Sequence, residues 1–117
     1  MSLRREVRLW VAQRVTAAVL AACVFVHLAT IIYAVRGGLS ASEILGRTRG
    51  DFAWATFYAV FVLAAAVHGA IGLRNILAEW AGWRGGGAEV AMTAFAILLT
   101  LLGLRAVAAV FGAGAGT

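Results

Sequence analysis

Two histidines lie inside runs of apolar residues: His27 in "AACVFVHLATIIYAV" and His68 in "VLAAAVHGAIGLRNILAEW". The second run adds Arg74 six residues after its histidine and Glu79 five residues later. Ionisable groups are costly in an apolar run, and where they occur they mark function by default. Neutral imidazole can ligate a metal or haem iron, or relay a proton. The plain alternative is a histidine that only bonds to a neighbouring helix, and small residues nearby, such as Gly72, Ala64 and Ala65, also serve ordinary helix packing. At this level both readings stand.

The elements that must position these groups follow from composition. The chain has 117 residues, of which 63% are hydrophobic and 13% charged, with a mean hydropathy of +0.94. Soluble domains are close to half apolar and about a quarter charged, so this is a membrane protein of one compact unit spanning residues 1–117. A bilayer core takes about 20 apolar residues of helix. Three runs qualify, at about 10–35, 52–77 and 90–111, and the chain has no proline to break them. Backbone groups in lipid must be satisfied internally, and the alternation of a barrel is absent, so the fold class is all-α, with three transmembrane helices running up-down-up. The first run is longer than a secretory h-region and is expected to stay as a membrane anchor.

The connections are short. In "RGGLSASEILGRTRGD" Ser42 is expected to cap a short turn and Asp51 the second span, and "AGWRGGGAE" is a glycine-rich turn. The tail "GAGAGT" is expected to fray. Cys23, the single cysteine, is read as a small packing residue. All ten basic residues are arginine and the net charge is +5. They flank the apolar runs instead of forming one basic face, which argues against a nucleic-acid partner and for membrane lipid. Arg4, Arg5, Arg8, Arg14, Arg74 and Arg84 fall on one side, and Arg36, Arg47, Arg49 and Arg105 on the other. By the positive-inside rule the N-terminus is expected in the cytoplasm. Trp10, Tyr33, Trp54, Trp80 and Trp83 sit near span ends, as interfacial aromatics do.

Helix positions seven apart share a face. Gln13, Leu20 and His27 form one stripe on the first span, and Trp54, Phe61, His68 and Asn75 form one on the second. If the two spans are antiparallel neighbours, His68 falls level with Ala18 or Val19 and His27 with Ala59 or Val60. The two imidazoles then differ in depth by roughly 12 Å at 1.5 Å per residue. That is too far for both to ligate one iron within one chain.

From about Trp10 to Trp80 the chain resembles the cytochrome b membrane-anchor subunit of succinate dehydrogenase and of the related quinol:fumarate reductases. The resemblance rests on His68, Gly72, Arg74 and Glu79, which match the family's His, Gly, Arg and acid at the same spacing, and on "QRVTA" at 13–17, which matches its "HR-x-[ST]-G". Arg14 and Thr16 agree with that motif, while Gln13 stands for its His and Ala17 for its Gly. Asn75 stands for a family histidine after the span-two arginine. The resemblance implies that His68 is an axial ligand of haem b, with its iron as the metal. It implies that Gln13, Arg14, Thr16 and Arg74 lie near quinone and haem propionates, and that Gly72 and Phe61 pack against haem. His27 resembles the second ligand of two-haem anchors, which hold haems on opposite membrane sides. The chain would then supply His27 and His68, and a second anchor subunit the opposite ligands, the chain being half of a heterodimeric or dimeric helical bundle. Arg36 and Arg105 would serve a haem at His27. For all four arginines the alternative is that they snorkel to the interface.

The resemblance further implies an iron–sulfur subunit, a flavoprotein subunit and quinone as substrate, in the bacterial inner (cytoplasmic) membrane, with Glu79 and Trp80 at the docking boundary. The chain has no dinucleotide fingerprint and no cysteine cluster, so it does not oxidise a dicarboxylate alone. Two rival readings are a haem-free anchor of the same complex, or of a fumarate reductase, and a small homo-oligomeric transporter or pore, which gives no reason for the H-x3-G-x-R-x4-E spacing.

Overall fold

A computed structural model describes residues 2–38 and 40–112; the tail expected to fray lies, from residue 113 on, outside them. Among the described residues the elements are α1 (Leu3–Gly37), α2 (Ala41–Thr48), α3 (Phe52–Trp80) and α4 (Gly86–Gly112), with no strand. Three of them, α1, α3 and α4, are long and apolar enough to cross a membrane. Their bounds overrun the apolar runs. α1 begins at Leu3, and its 35 residues reach about 52 Å against a hydrocarbon core of about 30 Å. The surplus is the first turns, where Arg4, Arg5, Glu6 and Arg8 are all exposed.

Side-chain caps set the helix starts. Ser2 Oγ accepts the Arg5 amide at 3.2 Å. Asp51 Oδ1 accepts the amides of Ala53 (2.9 Å) and Trp54 (3.1 Å), as expected of it. The cap of α2 is Ser40, not Ser42: its Oγ accepts the Glu43 amide at 3.1 Å. Ser40 stands three residues before Glu43, the S-x-x-E spacing that opens a helix, which leaves Ser42 inside the first turn. At the other end of α3, Gly82 has φ +66°, and the Trp83 amide returns to the Leu77 carbonyl at 2.9 Å.

α3 packs against both α1 and α4. Its small residues make this possible: Ala64, Ala66 and Ala70 are buried, with Ile71, and Gly69 faces Phe95 and Leu99 of α4. At Gly103 the approach is closer still, since an added Cβ would lie 2.3 Å from Val62 Cγ1. Close approach on small residues replaces the hydrophobic drive that lipid does not supply. α2 closes the far end of the bundle. Thr48 Oγ1 lies 3.3 Å from the Val110 carbonyl, and the Gly50 amide donates to the Phe111 carbonyl at 2.9 Å. These are carbonyls of the last turn of α4, which have no partner within their own helix. Much of α1 and α4 stays uncovered, including Phe25, Ile32, Val90 and Leu101.

Candidate functional site

α1 and α3 run antiparallel, and the two seven-residue stripes meet between them. Gln13 lies opposite Gly72, where an added Cβ would be 3.9 Å from Gln13 Nε2. Thr16 Oγ1 is 3.3 Å from His68 Nδ1. His27 meets Tyr58 and Phe61, with ring centroids 5.9 and 5.7 Å away. At the His27 end the midpoint alignment of the apolar runs agrees, since Tyr58 and Phe61 flank the expected Ala59 and Val60; at the other end His68 meets Thr16 instead of Ala18 or Val19. Eleven residues of α1 separate Thr16 from His27, and seven to ten of α3 separate Phe61 and Tyr58 from His68, so the imidazoles differ in depth by roughly 10–16 Å. One chain does not bring them to a common iron.

The two surroundings differ in kind. Beside His68, the Thr16 hydroxyl donates back to the Ala12 carbonyl at 2.7 Å, with the Gln13 carbonyl at 3.2 Å. His27 Nδ1 is 3.5 Å from the Tyr58 hydroxyl, at the limit of a hydrogen bond, and both aromatic contacts are edge-on, at 86° and 80°. His27, Tyr58 and Phe61 border an apolar cavity of about 440 Å³ that Gly103, Ala106, Val107 and Thr48 also line.

A second cleft of about 440 Å³ opens between α1 and α3 at the amino end of the bundle, lined by Glu6, Trp10, Gln13, Arg14, Arg74 and Asn75 together with Val7, Leu9 and Ile71. Three of the four residues expected near quinone and propionates, Gln13, Arg14 and Arg74, share this cleft. Thr16 instead bonds His68. Arg14 lies 5.0 Å from the Trp10 ring centroid in a cation–π contact. Arg74 Nε donates to Glu89 Oε1 at 2.9 Å, its Nη2 to Glu6 Oε1 at 2.6 Å and its Nη1 to Asn75 Oδ1 at 3.5 Å. Arg5 also pairs with Glu89. Residues of α1, α3 and α4 are thereby joined in one ionic cluster. Gln13 Oε1 is buried and has no hydrogen-bond partner among the described residues.

A family model described as succinate dehydrogenase/fumarate reductase transmembrane subunit matches residues 1–110. The chain belongs to that family. It is therefore an all-helical, three-span membrane subunit of a complex with other subunits. Comparison with curated proteins and with solved structures gave no match.

The donor set of this transmembrane subunit bears on what it can hold. Among the described residues no three His, Cys, Asp or Glu side chains converge as a metal cage would need. Each histidine is a lone nitrogen donor. A lone imidazole suits a metal that brings its remaining ligands with it, as haem iron does. One turn on from His68, Gly72 carries no side chain and this chain's packing there leaves room for a methyl group, while Gly69 is covered by Phe95 and Leu99 of α4. Phe61 packs on His27, not on His68. Arg36 and Arg105 are exposed, as are Glu79 and Trp80, the last 86%.

Three parts of the transmembrane subunit's site were not foreseen from sequence. Tyr58 reaches His27 because it stands three residues before Phe61, on the same stripe side. Glu6 and Glu89 reach Arg74 from outside the apolar runs, and the signal for them is charge balance: a half-buried arginine at a span end calls for a carboxylate at the neighbouring span ends. The bond from His68 to Thr16 required the register.

Proposed function

We propose that this transmembrane subunit is the haem b-binding anchor of a succinate:quinone oxidoreductase. It would dock the iron–sulfur and flavoprotein subunits at the amino end of its bundle, which faces the cytoplasm, and pass electrons to quinone. The observation that carries the reading is the pair of separated imidazoles on the facing stripes of α1 and α3, with an arginine- and amide-lined cleft one turn beyond His68. The family membership supports the complex, and the donor chemistry supports the cofactor.

In this reading His68 would hold the iron of one haem b and His27 that of another, roughly 10–16 Å apart in depth, and a second anchor subunit would supply the remaining ligands. When bound, haem b supplies a one-electron carrier whose potential is set by its axial ligands and burial. The chain's own residues do the rest. Gln13 and Arg14 present amide and guanidinium donors to a quinone oxygen or a propionate, and Arg14 suits a carboxylate through its planar fork. Glu6 and Glu89 hold the Arg74 guanidinium at the wall of the same cleft. The buried Gln13 Oε1 supports a ligand with a hydrogen to donate there, as a quinol hydroxyl has. Exposed apolar residues on α1 and α4 are the surface that lipid and the second anchor subunit would cover.

Purifying the complex through a tag on this chain tests the reading. The expected result is co-purification of the flavoprotein and iron–sulfur subunits, a b-type reduced-minus-oxidised spectrum, and succinate-dependent reduction of a soluble quinone. The same subunits without a b-type spectrum would leave a haem-free anchor. A fumarate-only activity would make it the reductase anchor, and recovery of the chain alone as a homo-oligomer would contradict the proposal.

A further inference from the structure

The half-buried residue Thr16 has a use that packing does not explain. A threonine hydroxyl has one proton to give and lone pairs to accept with. In α1 that proton goes to the backbone, to the Ala12 carbonyl at 2.7 Å, the back-bonding that threonines favour inside helices. Thr30, Thr56 and Thr100 make the same bond to the carbonyl four residues back. Thr16 differs in that its oxygen also lies 3.3 Å from a side-chain nitrogen of another helix, His68 Nδ1. With its proton already donated, Oγ1 meets that nitrogen as an acceptor. The hydrogen of the pair therefore sits on His68 Nδ1. In neutral imidazole that puts the lone pair on Nε2.

We infer that Thr16 is a positioning residue that fixes His68 as its Nδ1–H tautomer and so leaves the Nε2 lone pair free for an iron atom. The inference rests on the reading of His68 as a haem ligand and adds to it which nitrogen binds and what holds it. Ligating histidines are commonly oriented through their other N–H, and such a bond raises the basicity of the ligating nitrogen. The device is carried by α1, whose Ala12 carbonyl orients the hydroxyl, while the ligand is on α3. His27 has no equivalent. Its Nδ1 lies 3.5 Å from Tyr58, whose phenol can donate or accept, so neither tautomer is selected.

A more basic axial nitrogen favours ferric over ferrous iron. Removing the acceptor should therefore weaken ferric relative to ferrous binding. Loss of such an outer partner typically costs tenfold or more in metal affinity, and a tenfold differential corresponds to about 59 mV for one electron. The test is a redox titration of the assembled complex, with pyridine haemochrome quantitation, for wild type, Thr16→Val and Thr16→Ser. Val keeps the shape and removes the acceptor; Ser keeps the acceptor. The expected result is one b haem whose potential rises by about 59 mV in Thr16→Val and returns to the wild-type value in Thr16→Ser, with the other haem unmoved. If Val instead loses that haem, restoration by Ser supports the same role. Haem retained at the wild-type potential in Thr16→Val, or a loss that Ser does not restore, overturns the role of Thr16 and leaves the haem reading standing. A wild-type complex without b haem, or His68→Ala with its haem complement intact, overturns the haem reading itself and this inference with it.

Discussion

His68 and His27 lie on facing stripes of the same helix pair, yet their environments differ. His68 is held by a hydroxyl whose own proton is fixed on the α1 backbone, beside glycines, at the end of the bundle where an ionic cluster joins three helices. His27 is held by the edges of two aromatic rings beside an apolar cavity, at the end closed by α2. A hydrogen bond to a donor-committed hydroxyl selects orientation and tautomer together; edge contacts select a ring plane only. The comparison teaches that depth and ring nitrogen are set by different parts of the sequence, and that one histidine is pre-organised where the other is only packed.

The largest way to break the comparison is at the His68 end. Arg74→Gln removes the cation that Glu6 and Glu89 share, and the side chains of Arg74 and Glu89 are only 14% and 19% exposed. Breaking a fully buried pair costs about 3–5 kcal/mol, and partial exposure at the span end brings this to about 2 kcal/mol. Thermal unfolding in detergent should show a clearly lower Tm, with the His68 haem lost before the His27 haem. A Tm equal to wild type would mean that the cluster contributes nothing to holding α1, α3 and α4 together.

Next in size is a change at the His27 end. Gly103→Ala places a methyl group in the space of Val62 Cγ1, and overpacking of this kind costs about 1–3 kcal/mol. Gly103 and Val62 both line the His27 cavity. The substitution should lower Tm and perturb the spectrum of the His27 haem, leaving the band and potential of the His68 haem unchanged. Equal effects on both haems would show that the two ends are not independent. The smallest effect is expected from Tyr58→Phe. It deletes a hydroxyl 3.5 Å from His27 Nδ1 that can donate or accept and so selects no tautomer. The His27 haem should keep its potential in a redox titration, in contrast to the response of the His68 haem to Thr16→Val.

The sequence made much of this arrangement legible, for physical reasons that can be named. Three proline-free apolar runs can only be helices in lipid, and helices formed over all three. The seven-residue stripes were legible because helix periodicity is fixed, and Gln13, His27, Phe61 and His68 do lie half-buried on the facing sides. Asp51 was legible as a cap because a carboxylate before an apolar run has amides to accept. Register was legible at one end only. Aligning run midpoints put His27 opposite Ala59 or Val60, between the Tyr58 and Phe61 that it meets, but put His68 opposite Ala18 or Val19 when it meets Thr16; apolar runs fix how much helix lies in the membrane, and the helices extend past them. The partners of Arg74 were hidden for a related reason: Glu6 and Glu89 lie outside the runs, in stretches that read as solvated span ends until three helices bring them together. Ser40 was passed over for Ser42 because only the spacing to Glu43 separates two serines in one loop.

The central claim, that the chain offers two separate axial imidazoles, is tested most directly by counting haems. The measurement is a reduced-minus-oxidised spectrum with pyridine haemochrome quantitation of the purified complex, for wild type, His27→Ala and His68→Ala. The account predicts two haems b per anchor pair, with each substitution removing a different one. A single haem lost only in His68→Ala, with His27→Ala unchanged, would contradict it and make His27 a packing residue. No haem in the intact wild-type complex would contradict the cofactor reading altogether.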